Sequence, residues 1–314
     1  MQRRTLREYL LLFTKGVGMG AADIVPGVSG GTIAFITGIY EELLGSIRSV
    51  NGEAIGLLLR FRLGDFWRHI NGSFLVVLLS GIGFSIVSLS RLILFLLENY
   101  PELLWSFFFG LIVASAVVVG KKIARWTIGV VLFGLIGAAI AYYVTVATPM
   151  QTPEAYWFIF LSGAIAICAM ILPGISGSFL LVLLAKYEFI LNAVKELRLS
   201  IVAVFGLGCL VGILSFSHVL NWALKNYHSV TIALLTGFMV GSLNKVWPWK
   251  QTLETYTDRH GEVKPLVQEN VLPGAYESLT GQESYLAYAV VLAIFGFLLV
   301  YLIDHFTDDD TSKV

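Results

Sequence analysis

Long apolar stretches separated by short polar segments run along almost the whole chain. A helix that crosses a bilayer needs about 20 mostly apolar residues, because the hydrocarbon layer is about 30 Å thick. Six stretches meet this requirement, at approximately 74–97, 103–119, 126–147, 199–222, 229–247 and 285–305. The pattern predicts an all-α polytopic membrane protein with about six transmembrane helices.

Two further apolar regions, approximately 9–46 and 157–190, are interrupted near their middle by Pro-Gly and Ser-Gly steps. Proline removes a helical hydrogen bond, and glycine accepts backbone conformations that other residues avoid. Irregular backbone at membrane depth is tolerated only where it is buried in protein or lines a wet cavity. We therefore expect two re-entrant helical hairpins whose tips lie roughly halfway across the bilayer.

The composition agrees with a single membrane domain over residues 1–314. The chain is 57% hydrophobic and 13% charged, and its 21 basic and 21 acidic residues give a net charge of zero. This balance excludes a basic nucleic-acid binder and an acidic disordered chain. Cys168 and Cys209 both lie in apolar runs, and the His residues form no ligand cluster, so the sequence predicts no disulfide, metal site or cofactor.

The distribution of basic residues predicts the orientation. The N-terminus and the segments 48–70 and 121–125 are rich in Lys and Arg, whereas 98–102 and 148–155 contain none. Basic loops remain preferentially in the cytoplasm. Both termini are therefore predicted to be cytoplasmic, and the long polar segment 250–284 is predicted to lie outside.

An internal repeat relates the two interrupted regions. The sequence PGVSG at 26–30 recurs as PGISG at 173–177, and a Tyr-Glu pair follows each copy at the same spacing. Three complete spans separate the copies, so the halves 9–122 and 157–249 are predicted to be inverted relative to each other. Inverted repeats with broken helices are typical of secondary transporters.

The motif GAADIVPGVSGGT at 20–32, followed by GIYE at 38–41, resembles the signature of the polyprenyl-phosphate transporter family, PopT. The resemblance covers nearly the whole chain. It implies a protein of the bacterial cytoplasmic membrane that returns undecaprenyl phosphate, the lipid carrier of cell-wall sugars, from the outer to the inner leaflet. The second copy departs from the first, with Met170 in place of Asp23 and Ser178 in place of Gly31.

Each Pro-Gly step is expected to expose free N–H groups where the helix restarts, and such groups bind phosphate. Hydroxyl side chains add donors, and two tips that meet would bind one headgroup from both sides. Arg91 is added because a charge inside a span is costly and indicates function, although snorkelling to the interface explains it equally well. The predicted substrate-binding residues are Pro26, Gly27, Ser29, Gly30, Gly31, Thr32, Pro173, Gly174, Ser176, Gly177, Ser178 and Arg91.

Asp23 is the carboxylate closest to the first Pro-Gly break within an apolar segment, where an unpaired charge is expensive. We expect it to couple transport to a proton, with Glu41 and Glu188 as weaker candidates and a sodium ion as the alternative coupling ion. A structural alternative is that Asp23 caps the tip or pairs with Lys15. Glu41 and Glu188 would then be ordinary interfacial carboxylates.

Two other functions remain open from the sequence. Polyprenyl-pyrophosphate phosphatases also carry a PGxS motif, but there an Arg follows the Ser, whereas Gly30 and Gly177 occupy these positions here. No Ser-His-Asp set, HExxH or P-loop pattern is found, so the chain is predicted not to be an enzyme and to have no catalytic residues. A transporter of a small soluble anion is the third possibility, and the oligomeric state is left open.

Overall fold

The computed structural model describes residues 4–25, 27–149, 152–257 and 263–311. Most of them are helical, which confirms the predicted all-α class. The helices are α1 Leu6–Ile24, α2 Gly30–Ile36, α3 Tyr40–Arg48, α4 Gly52–Leu59, α5 Leu63–His69, α6 Gly72–Asn99, α7 Pro101–Lys121, α8 Ile128–Val146, α9 Tyr156–Ile171, α10 Gly177–Leu183, α11 Tyr187–Lys195, α12 Leu199–Asn226, α13 His228–Ser242, α14 Pro273–Thr280 and α15 Leu286–Thr311, and the strands are β1 Lys250–Thr257 and β2 Val263–Asn270.

Within the described ranges, five helices are long and apolar enough to cross a membrane, namely α6, α7, α8, α12 and the first 20 residues of α15. The sixth predicted stretch, 229–247, differs from the prediction. Its helix, α13, has only 15 residues, and turns follow from Leu243 onward. Pro248 cannot extend a helix without loss of a hydrogen bond, so the chain leaves the helical path before it.

Both apolar regions with Pro-Gly steps are broken at the predicted places. Gly27 and Gly174 adopt φ angles of 89° and 84°, in the left-handed region that favours glycine. A short helix follows each break: the Ser29 side chain accepts from the backbone N–H of Gly31 at the start of α2, and Ser176 does the same for Phe179 at the start of α10. The axes of α10 and α11 differ in direction by 102°.

The helices after each break have matching lengths. The helices α2 and α10 have 7 residues each, α3 and α11 have 9, and α6 and α12 have 28. The first copy carries α4 and α5 in addition. The sequence repeat therefore extends to the order and size of the helices.

Small residues allow the helices to pack closely, as is usual in membrane bundles. A Cβ added to Gly16 in α1 would lie 2.4 Å from the carbonyl oxygen of Leu78 in α6. A Cβ on Gly208 in α12 would lie 2.0 Å from the carbonyl oxygen of Phe160 in α9. The broken helices α1 and α9 are thus packed directly against α6 and α12.

The helix α1 runs parallel to α6, and α9 runs parallel to α12. Contacts along each pair therefore show how deep each break lies. Arg4 stands over the Phe74 ring at the start of α6, and Gly20 contacts Ser85 about halfway along that helix. In the second copy, Tyr156 contacts Ser200 at the start of α12, and Cys168 reaches the carbonyl of Gly212 near its middle. The breaks follow Gly20 and Cys168 by more than one helical turn, so both breaks lie beside a long apolar helix, a little beyond its middle.

The polar segment after α13 is folded. The strands β1 and β2 form an antiparallel hairpin, and α14 packs beside it. Trp249 Nε1 donates to the carbonyl of Ser284 at 2.9 Å, and the Tyr276 hydroxyl donates to the buried carboxylate of Glu102 at the start of α7. Burial and this hydrogen bond raise the pKa of Tyr276. The sequence predicted only a polar loop here, because a two-stranded hairpin has no apolar face to mark it.

Candidate functional site

The two breaks contact each other inside the bundle. We call residues 27–32 the first tip and 174–178 the second tip. Ser29 Oγ lies 3.1 Å from the carbonyl oxygens of Met170 and Leu172, and the N–H of Gly174 donates to Thr32 Oγ1 at 3.0 Å. Both hydroxyls are almost completely buried. Predicted site residues from opposite halves of the chain are thus brought together.

Glycines make this contact possible. A Cβ added to Gly31 would lie 2.3 Å from the carbonyl oxygen of Ile171, far below a permitted contact. Within the second half, a Cβ on Gly177 would lie at the same distance from the carbonyl oxygen of Ala166, so this glycine allows α10 to pack against α9. Pro173 is buried beside them. Pro26 lies outside the described residues.

Several of the N–H groups that were expected to be free are occupied in this conformation. The N–H of Gly30 donates to Asp23 Oδ1 at 2.7 Å, and the N–H of Gly31 donates to Ser29 Oγ at 3.1 Å. In the second tip, Ser176 Oγ accepts from the N–H of Phe179 and pairs with Ser178 Oγ at 2.9 Å. A phosphate group can reach these donors only after the contacts within and between the tips open.

Asp23 makes one of the two structural contacts considered from the sequence. Its carboxylate caps the start of α2 through Gly30, and the Cα of Gly30 is so close that an added Cβ would lie 2.6 Å from Asp23 Oδ2. Lys15 does not pair with it, because its Nζ donates to the carbonyl of Thr37 at 2.7 Å. The proposed coupling role of Asp23 stays a prediction.

Lys245 is a residue at the tips that the sequence reasoning missed. Its side chain covers the first tip, so that a Cβ on Gly27 would lie 2.7 Å from Lys245 Cγ. Its Nζ lies 4.4 Å from the centroid of the Phe179 ring, which follows the second tip. The available signal was a lysine inside a stretch predicted to span the membrane, since intramembrane charges indicate functional sites.

Lys250 lies next to it. Its Nζ donates to the carbonyl of Lys245 and stands 4.3 Å from the centroid of the Trp105 ring. Burial lowers the pKa of Lys250, and the charge of Lys245 lowers it further. Among the residues that the structure describes, neither lysine forms a salt bridge. The Lys245 ammonium group thus lies beside the tips, and the described residues place no carboxylate against it.

Three predicted residues lie apart from this cluster. Arg91 and Glu41 are exposed on the surface of the helices, and Glu188 is half-buried in the first turn of α11. The neighbouring Glu42 is the more engaged carboxylate, because it accepts from Arg4 and from Asn71 Nδ2. Within the described residues, no group of three or more His, Cys, Asp or Glu side chains is placed to hold a metal ion.

Comparisons with known proteins agree with the family resemblance. A family model described as VCA0040-like, undecaprenyl phosphate translocase-like, matches residues 19–264. The chain is 47% identical over 301 residues to a polyprenyl-phosphate transporter of Vibrio cholerae serotype O1 (strain ATCC 39315 / El Tor Inaba N16961), covering 96% of this chain and 98% of the relative. It is 32% identical over 253 residues to a polyprenyl-phosphate transporter of Staphylococcus aureus (strain NCTC 8325 / PS 47), covering 74% and 84%.

No solved structure matches the chain. Both curated relatives are named as transporters, in agreement with the prediction that the chain is not an enzyme. Both tips lie within the residues that the family model matches. The chain belongs to the VCA0040-like, undecaprenyl phosphate translocase-like family.

Proposed function

We propose that the protein is a secondary transporter that returns undecaprenyl phosphate from the outer to the inner leaflet of the bacterial cytoplasmic membrane, where the carrier re-enters cell-envelope synthesis. The observation that carries this proposal is the direct contact between the two tips, through Ser29 and Thr32, inside the bundle of long helices. The names of the relatives support the lipid class.

The tip contact has the properties of a gate. It is formed by side-chain hydrogen bonds between the halves and not by a continuous helix. Each such bond contributes only about 1 kcal/mol net, because other polar partners can replace it. Phosphate oxygens are strong acceptors for the same N–H and O–H donors. Hydrogen bonds to the bound headgroup can therefore replace the hydrogen bonds that are lost when the tips open.

The helix directions support an inverted arrangement of the halves 9–122 and 157–249. The helix α1 starts on the side where α6 starts, and α9 starts on the side where α12 starts. Because α6, α7 and α8 are each long and apolar enough to cross the membrane, this arrangement has α1 and α9 enter from opposite sides. A site between two such halves is accessible to one leaflet and then to the other as the halves rock.

Asp23 provides a route for proton coupling. Its carboxylate occupies the N–H of Gly30, which is one of the donors that a phosphate oxygen would use. A neutral carboxylic acid is a weaker acceptor than a carboxylate and does not repel an anion. Protonation of Asp23 therefore favours binding of the headgroup, and its ionisation favours release. Coupling to a sodium ion instead of a proton is the alternative.

The topology follows the same proposal. Lys122 Nζ lies 4.0 Å from Asp304 Oδ1, which places the basic segment 121–125 and the end of α15 on one side, assigned to the cytoplasm with both termini. The folded segment 250–284 then faces outward. It is attached at the outer end of α7, beside the lysines at the tips.

The experiment is reconstitution of the full chain in liposomes that contain undecaprenyl phosphate. A membrane-impermeant phosphatase added outside hydrolyses only the lipid in the outer leaflet, so continued hydrolysis measures translocation. We expect the protein to give access to the inner pool, while protein-free liposomes retain it. Liposomes with protein that retain it contradict the proposal, and release of phosphate from polyprenyl pyrophosphate by the protein alone would favour the phosphatase alternative.

A further inference from the structure

Lys245 touches both halves of the proposed gate. Its stem packs on Gly27 of the first tip, and its ammonium group stands over Phe179, two residues after Gly177 of the second tip. Lys245 belongs to the segment 243–249, which follows the end of α13 at Ser242. The turn after α13, and not a regular helix, therefore sets the position of Lys245.

The ammonium group of Lys245 has no polar partner among the described residues. Lys245 is half-buried, and an ammonium group carries three donors, so partial loss of water without a protein acceptor is costly. The Phe179 ring offsets part of this cost through a cation–π contact, but it accepts none of the three N–H bonds in the ordinary sense. Asp23 does not form an ion pair with it, because its carboxylate is directed to Gly30.

Lys250 holds this arrangement in place. Its Nζ donates to the backbone carbonyl of Lys245 and packs over Trp105 of α7. This hydrogen bond fixes the backbone from which Lys245 projects. An anion at the tips is the group that would neutralise Lys245.

The two halves differ at this position. Ser115 in the first copy and Ser242 in the second occupy matching positions. Three residues after each serine, the first copy has Val118 and the second copy has Lys245. The carboxylate shows the opposite asymmetry, since Asp23 in the first copy corresponds to Met170. Each half thus contributes one charged group of opposite sign to the same junction.

We infer that Lys245 binds the phosphate monoester of the transported lipid at the junction of the two tips. The inference rests on the proposed function and names the residue that recognises the substrate. The cleft beside Lys245 has a free volume of about 10 Å³, the room of a single water molecule. The structure is therefore a closed conformation, and the headgroup enters when the tips separate.

The test measures binding to the full chain in lipid nanodiscs. The ligands are a short-chain polyprenyl phosphate, the corresponding uncharged polyprenol and inorganic phosphate. The variants are Lys245→Gln, Lys245→Arg and, as a matched control, Lys225→Gln at the exposed end of α12. Thermal unfolding of each variant verifies the fold, and Lys245→Met, which keeps the stem against Gly27, replaces the Gln variant if that variant unfolds.

We expect Lys245→Gln to weaken binding of the polyprenyl phosphate at least about tenfold, because a charge-assisted hydrogen bond is lost. Binding of polyprenol is expected to be unchanged. Lys245→Arg keeps the charge and is expected to retain binding within about threefold, and Lys225→Gln is expected to match the wild type. A folded Lys245→Gln variant that binds the polyprenyl phosphate as tightly as the wild type overturns the inference.

Comparison of the three ligands distinguishes a failure of the inference about Lys245 from a failure of the proposed function. Binding of polyprenyl phosphate by the wild type with no effect of Lys245→Gln leaves the proposed function intact and removes only Lys245. Binding of inorganic phosphate that depends on Lys245, without binding of the lipid, supports the phosphate site and overturns the lipid as its source. Absence of binding of every phosphate compound by the folded wild type overturns both.

Discussion

The two tips share the sequence PGxSG but differ in what they hold and contact. The first tip closes on itself through the carboxylate of Asp23, reaches across to the other half through Ser29, and has Gly31 at the point of closest approach. The second tip has Met170 and Ser178 at the corresponding positions, and its hydroxyls pair with each other.

This difference makes the two halves of the repeat chemically unequal at their junction. The end of α9 offers the carbonyl oxygens of Met170 and Leu172 as acceptors. The first tip supplies the Ser29 donor and the small residue Gly31 at the closest approach. The ionisable Asp23 precedes the first tip, and the second half has Met170 at that position.

The largest effect is expected when the first tip is made like the second. In Gly31→Ser, the new Cβ would lie 2.3 Å from the carbonyl oxygen of Ile171, so the tips cannot close. We expect translocation of undecaprenyl phosphate in the liposome assay to fall at least about tenfold, with a loss of about 1–3 kcal/mol in the free energy of unfolding from overpacking.

The matched control is Ser178→Gly, which makes the second tip like the first. It removes only the contact between two hydroxyls, at 2.9 Å. We expect it to lower the free energy of unfolding by no more than about 1 kcal/mol and to retain transport. Equal losses in Gly31→Ser and Ser178→Gly would show that the tips are equivalent.

A second prediction concerns the acid that only the first tip has. Asp23→Asn keeps the size of the side chain and its oxygen for the N–H of Gly30, but it cannot exchange a proton. We expect transport in liposomes to lose its response to an imposed pH gradient while binding of the lipid persists. Unchanged dependence on the gradient in this variant removes Asp23 from the coupling mechanism, and a dependence on sodium instead identifies the other ion.

Hydrophobic patterning predicted the helices well because it decides which segments leave water. The spans α6, α7, α8, α12 and α15 and both breaks lie where the sequence places them. The occupied state of the tips could not be predicted, because Ser29 and its acceptor Met170 lie 141 residues apart in the chain. Which carbonyl meets a hydroxyl depends on how two halves pack, and periodicity within one segment does not contain that information.

Lys245 and the β-hairpin show a second limit. A hydropathy window treats the stretch after α13 as continued membrane, although turns begin at Leu243. A polar residue in such a turn can lie beside a buried site without being in a helix. The ends of spans, and the charges just beyond them, are therefore where sequence reasoning needed the structure most.

A smaller effect distinguishes the two capping serines. Ser29 Oγ accepts from the N–H of Gly31 and reaches two carbonyls of the other half, so Ser29→Ala leaves several buried groups without a partner. We expect a loss of about 1–3 kcal/mol in the free energy of unfolding in detergent. Ser176→Ala removes only contacts within its own tip and is expected to cost less than about half of that. A larger loss in the free energy of unfolding for Ser176→Ala than for Ser29→Ala would show that the second tip contributes more to stability than the first.

The smallest effect is expected at Arg91, in comparison with Lys245. Arg91 lies on an exposed face of α6, and His218, at the matching position of the second copy, lies on an exposed face of α12. The His218 Nδ1 atom lies 2.7 Å from the carbonyl oxygen of Leu214 in its own helix. An exposed arginine can extend to the lipid headgroups and needs no anionic ligand in the protein. Arg91→Gln is therefore expected to change binding of the short-chain polyprenyl phosphate in nanodiscs less than about twofold, against at least about tenfold for Lys245→Gln. A loss at Arg91 as large as that at Lys245 would place the headgroup on the outer face of α6 during part of the cycle. The headgroup would then pass Arg91 before it reaches the tips.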